Sequence, residues 1–98
     1  MSHTLHRGAE SDLLEAVRFY RQEGGSRLAN RFLDEFERTV ALLVEYPGLG
    51  TPTEDARRIH PIRDFPYSII YRETSPGSVR ILVVRSQHRD PDFGESRR

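Results

Sequence analysis

The chain has 98 residues, 36% hydrophobic and 31% charged, which suits one domain with a modest core and offers no apolar run near the roughly 18 residues of a membrane span. It has no cysteine, which excludes a disulfide framework and thiolate-held zinc and makes a reducing cytoplasm the expected compartment; the first residues also lack the apolar stretch of a secretory signal. The formal charge of zero conceals an asymmetry, since residues 1–56 carry six arginines against ten carboxylates (−4) and residues 57–98 nine against five (+4), so the second half suits an anionic partner or is paired by the first.

The short alternation His3-Thr4-Leu5-His6 reads as an edge strand. From Ala9 the period lengthens: Ala9, Leu13, Ala16 or Val17 and Tyr20 share one face, with Glu10, Asp12, Glu15 and Arg18 between them, the spacing of an amphipathic helix. Gly24-Gly25 is expected to stop it and Ser26 to cap a second helix. In that helix Leu28 or Ala29, Phe32, Phe36, Val40 and Leu43 line the buried face, and Tyr46-Pro47-Gly48 ends it. Two amphipathic helices so closely joined make an antiparallel hairpin.

Residues 48–56 read as loop. Beyond them the period drops to two, which predicts strands at about 57–63, 66–72 and 79–85, the last two joined by a tight turn at Pro76-Gly77. Such short connections make the three strands antiparallel neighbours. The polar end is expected to fray beyond Gly94. The fold class is α+β: one domain, a helical hairpin on a small twisted antiparallel sheet.

This topology returns the end of one strand and the start of the next to one edge. Arg63, Tyr67, Arg85, His88 and Arg89 are therefore expected to cluster there, three guanidiniums with a phenol and an imidazole, a set able to hold an anion and move protons. Asp64, Asp90 and Asp92 lie close enough in sequence to pair those arginines as ordinary surface ion pairs. His3, His6, His60 and His88 lack metal-ligand spacing, so no metal or other cofactor is expected. Leu82 and Val84 are read as one face of the last strand and Ile81 and Val83 as the other. A single helical layer would leave the Leu82–Val84 face bare for a partner.

The order of elements, with "FPYSIIYRE" at 65–73 and "ILVVRSQHRDPDF" at 81–93, resembles the RelE/ParE superfamily of bacterial toxins and lies nearer its ParE branch. The resemblance covers nearly the whole chain. It implies an antitoxin partner whose C-terminal segment wraps the toxin, here over Leu82 and Val84, and a possible heterotetramer. ParE-like members inhibit DNA gyrase. RelE-like members cleave messenger RNA on the ribosome, which would make His88 the acid–base and Arg63, Arg85 and Arg89 the phosphate-binding cations. RelE-like sequences resembling this one place an arginine after the strand tyrosine and a tyrosine near the C-terminus; here those positions hold Ser68 and Phe93. These departures favour the gyrase-directed branch, with Arg63, Tyr67, Arg85 and Arg89 as target contacts.

Overall fold

The structure, a computed structural model, describes residues 2–98. Its elements are β1 (Ser2–Leu5), α1 (Arg7–Glu45), β2 (Thr51–Pro52), β3 (Arg58–Pro61), β4 (Tyr67–Ser75) and β5 (Ser78–Ser86). They form a five-stranded sheet in the order β1-β5-β4-β3-β2. The neighbours β3, β4 and β5 are antiparallel as expected, but the sheet is mixed, because β1 pairs parallel with β5 from Ser2↔Ser78 to Leu5↔Ile81. A parallel pair needs a long crossover, and α1 together with β2–β4 supplies it. The loop expected over 48–56 contains β2, which covers the outer edge of β3.

The helical tract runs from Arg7 to Glu45 with a kink at Gly24 and Gly25, and no loop of several residues separates its two helical halves. It begins two residues before Ala9 because His6, in extended conformation, caps it: the Nδ1 atom accepts the Gly8 N–H at 2.9 Å. A straight helix of its 39 residues would run about 58 Å, yet the longest dimension of the molecule is 37 Å. The break lies at Gly24 and Gly25, the only interior residues off helical geometry. Gly25 sits at φ 74°, ψ −171°, a region open essentially to glycine alone. The tract turns back there, and Tyr20 and Phe32, twelve positions apart, bring their ring centroids to 5.2 Å.

Both halves of α1 bury against one face of the sheet. Ala9, Ala16, Tyr20, Phe32, Phe36, Val40 and Leu43 pack there on Ile69, Tyr71, Val79, Ile81 and Val84. Tyr71 also pins the helix exit, donating its hydroxyl hydrogen to the Pro47 carbonyl at 2.8 Å and accepting the Gly50 N–H at 2.9 Å.

The opposite face corrects the strict alternation read along β5. Ile70 pairs with Val83 but Tyr71 with Ile81, so Leu82 is an extra residue in a β-bulge. A bulge changes which side chains face which side. Val79, Ile81 and Val84 therefore face the helices, while Leu82 and Val83 join Ile70 on the other side. The expected pairing of Leu82 with Val84 on one bare face is overturned on both counts. Val84 lies beneath the helical layer, and Leu82, fully buried, lies against the C-terminal segment.

That segment folds back onto the sheet. Phe93 packs on the Ile70–Leu82–Val83 cluster. Gly94, at φ 78°, passes so close that a Cβ would stand 2.6 Å from a Val83 methyl. Arg97 then reaches Asp12 of α1, Nη1 to Oδ2 at 2.5 Å, and donates to the Leu82 carbonyl at 3.0 Å. Asp12 also accepts the Val84 N–H at 3.1 Å. Beyond the last residue of β1, this pair satisfies backbone groups on the edge of β5 that would otherwise be buried without partners.

Candidate functional site

The edge formed by the start of β4 and the end of β5 is held by register. Tyr67 lies opposite Ser86 and Ser68 opposite Arg85, and the Pro66 carbonyl accepts the Gln87 N–H at 2.9 Å. Pro66 has no N–H to give, so the ladder closes through its oxygen. Of the five side chains expected to converge here, Tyr67 and Arg85 lie on opposite faces of the sheet, and Arg63 and His88 lie in the turns beside it.

On the helical face, half-buried Tyr67 joins a ring cluster, 5.2 Å from Phe32 and 6.0 Å from Tyr20, with Phe65 closing the group. Burial raises the Tyr67 phenol above its ordinary range; the Arg89 charge opposes that rise and Glu15 adds to it. A phenol so placed stays neutral at physiological pH and offers an O–H rather than a phenolate. Arg89 reaches the Glu15 carboxylate at 3.2 Å and lies over the Phe93 ring at 4.6 Å. Glu15 is the residue of this site that strand reasoning missed. Its position one helical turn from Phe19 and Tyr20, on the half of α1 nearest this edge, was visible only in three dimensions.

On the open face, Arg85 donates to the Pro91 carbonyl at 2.6 Å and borders a groove of about 350 Å³ floored by Ile59, Ile70 and Phe93. Arg63 and His88 are exposed. Arg63 lies in the β3–β4 connection beside Asp64, which takes positive φ and pairs with Arg31 at 3.7 Å. His88 has its backbone N–H held by the Ser86 hydroxyl at 3.2 Å, while its imidazole makes no hydrogen bond among the described residues. The structure thus brings together Tyr67 with Arg89, and Ser68 with Arg85, but not the set of five. Among the described residues no group of three or more potential metal ligands occurs, and no helix is long and apolar enough to cross a membrane.

A helical layer on one face of a small five-stranded mixed sheet is an α+β architecture. The chain is similar in structure to a solved one described as the chromosomal ParDE TA system from P. aeruginosa, with a TM-score of 0.75 and 25% identity over 88% of this chain and 95% of that one. A search of curated proteins finds no match. Residues 4–91 match the family described as the ParE toxin of type II toxin-antitoxin system, parDE. The chain belongs to that family of toxins.

Proposed function

We propose that the chain is a ParE-like toxin that inhibits DNA gyrase by binding, acts in the cytoplasm, and is neutralised by a cognate antitoxin in a heterotetramer. The observation that supports this over the messenger-RNA-cleaving reading is the pairing of Ser68 with Arg85 across β4 and β5. RelE-like relatives resembling this chain place an arginine where Ser68 stands, so the open face would hold two adjacent guanidiniums there; this chain has one, tethered to the Pro91 carbonyl. Phe93, where a tyrosine is expected for cleavage, lacks a hydroxyl, and the Arg89 and Arg97 guanidiniums lie 4.6 and 5.1 Å from its ring centre. Crowding a phosphodiester toward cleavage needs several cations and a proton donor around one point, whereas here Arg85 is tied to the Pro91 carbonyl and Arg89 is paired with Glu15.

In this reading Arg63, Tyr67, Arg85 and Arg89 are the surface offered to gyrase. The antitoxin reaches Leu82 across the open face by displacing the segment that carries Phe93, while Val84 is shielded by α1. The test is a supercoiling assay with purified gyrase, with and without the antitoxin. Inhibition or trapped cleavage complexes, reversed by antitoxin, are expected. No effect at large excess of folded toxin, with cleavage of translated message that is lost in His88→Ala, would replace this reading with the nuclease.

A further inference from the structure

The first turn of α1 gathers charged groups that the target edge does not use. His6 caps the helix through Nδ1, which accepts the Gly8 N–H at 2.9 Å. Asn, Asp, Ser and Thr are the ordinary capping residues. Histidine caps only while neutral, because both ring nitrogens of its cation are donors. Arg97 crosses the backbone at the same point. A Cβ on Gly8 would collide with its guanidinium, so this cation lies against the residue whose N–H the imidazole holds. From there Arg97 fastens the C-terminal segment. It reaches both Asp12 oxygens at 2.5 and 3.3 Å, the Leu82 carbonyl at 3.0 Å, and the Phe93 ring at 5.1 Å from its centre. Phe93 in turn packs on Ile70, Leu82 and Val83. One side chain thus joins the start of the helix to the cover of the open face.

The charges facing the imidazole are Arg7 and Asp12 of α1, Arg80 of β5, and Arg97. With His6 neutral, one carboxylate stands among three guanidiniums. Protonation sets four cations around the same carboxylate and places the new one at the positive end of the helix dipole. The Gly8 N–H loses its acceptor in the same step. Arg7 and Arg80 belong to α1 and β5, whereas Arg97 is carried by a segment outside the helix and strands. Arg97 is therefore the cation that can leave.

We propose that His6, Asp12 and Arg97 form a proton-operated latch, in which protonation of His6 releases residues 93–98 from the apolar cluster of the open face while the helical core stays folded. The direction follows from which form holds the proton better. With the segment in place, burial first, and then the Arg80 and Arg97 charges, hold the His6 pKa below its ordinary value; Arg7 acts the same way and Asp12 opposes them. Departure of Arg97 removes one of those charges, so the released form binds the proton more tightly. Release therefore grows as pH falls below about 6.5 and reaches its full extent beneath the lower value of the fastened form. Above that window the latch stays closed. It consists of contacts within one chain and is independent of the toxin's target.

The test follows methyl resonances of the full chain by NMR between about pH 7.5 and 5.5, where histidine titrates and carboxylates stay ionised. The Leu82 and Val83 methyls report on the Phe93 ring packed against them, and Val79 and Ile81, beneath the helices, serve as the reference. The released fraction is expected to rise about five-fold, as for one cation set against a helix N-terminus. Leu82 and Val83 should then shift in step with the His6 ring signal while Val79 and Ile81 hold still. His6→Asn caps without titrating and should abolish the shift, although His3, His60 and His88 remain. Proton binding and Arg97 docking are reciprocal, so in Arg97→Gln the Leu82 and Val83 methyls should stand at their acid positions already at neutral pH. In that variant the His6 ring should also titrate at higher pH. Leu82 and Val83 signals that ignore the His6 titration would overturn the proposal. So would a shift that survives His6→Asn, an equal shift of Val79 and Ile81, which is general loosening, or an unchanged His6 midpoint in Arg97→Gln. His6→Asn disturbs no buried charge and decides the question alone should Arg97→Gln not fold.

Discussion

Removing the Asp12 carboxylate should be among the most damaging single changes outside the aromatic core. Its side chain is 6% exposed, that of Arg97 16%, and the two are 2.5 Å apart. In Asp12→Ala the Arg97 guanidinium loses its counter-charge and the Val84 N–H loses the acceptor at 3.1 Å. Breaking a buried ion pair from one side costs about 3–5 kcal/mol, and the orphaned N–H is part of that figure rather than an addition to it. For a domain of this size each kcal/mol lowers the melting temperature by about 4–8 °C, so a fall of roughly 12–40 °C is expected. Asp12→Asn keeps an acceptor for Val84 and should lose less. Glu15→Gln, one turn along the same helix, removes a partner of Arg89 in a pair exposed by 63% and 50% and should cost no more than about 1 kcal/mol. The measurement is urea unfolding followed by far-UV circular dichroism. If Asp12→Ala fell within 1 kcal/mol of the wild-type chain, the argument that this pair seals the edge of β5 would be refuted.

The remaining expectations concern the ends and turns of the helical tract. The His6 imidazole is held below its ordinary pKa, first by burial and then by the charges of Arg80 and Arg97. The unfolded chain therefore binds the extra proton more readily, and the capping contribution is full above about pH 6.5 and lost as pH falls through the lower folded value. The melting temperature should drop between pH 7.5 and 5.5 more in the wild-type chain than in His6→Asn, which caps without titrating. Tyr71→Phe removes both bonds that hold Pro47 and Gly50 and should cost about 2–3 kcal/mol in the same unfolding assay. Gly25→Ala forces a Cβ into φ 74°, ψ −171° and should cost about 1–3 kcal/mol, whereas a change below 0.5 kcal/mol would mean that the tract turns back elsewhere.

How far the sequence revealed this molecule depended on whether each signal was local. Helix periodicity, the glycine break and the tight turn at Gly77 are set by neighbouring residues, and the helical core from Ala9 to Leu43 follows from them. β1 was legible as a strand, but its parallel partner β5 is more than seventy residues away and no local pattern announces it. The docking of the C-terminal segment was equally hidden. "RDPDFGESRR" is polar in composition, and what fixes it is one aromatic ring, one glycine in a close approach and one arginine meeting a carboxylate 85 positions earlier.

The site shows the same limit in sharper form. Reading β5 with a period of two placed Leu82 with Val84, and a single inserted residue was enough to undo it. After the bulge Leu82 and Val83 face one way while Ile81 and Val84 face the other. The topology argument put Tyr67 and Arg85 together at one edge, although the strand pairing that brings their backbones close sends one toward the ring cluster of α1 and the other toward Ile59 and Ile70. Nearness of two strand ends in sequence logic fixes an edge but not a face. In this toxin the two faces have different chemistry at that edge: a neutral phenol among aromatic rings beneath the helices, and Arg85 beside an apolar groove on the open side. A partner that covers the open face would therefore meet Arg85 and that groove while Tyr67 stays packed among the rings of α1.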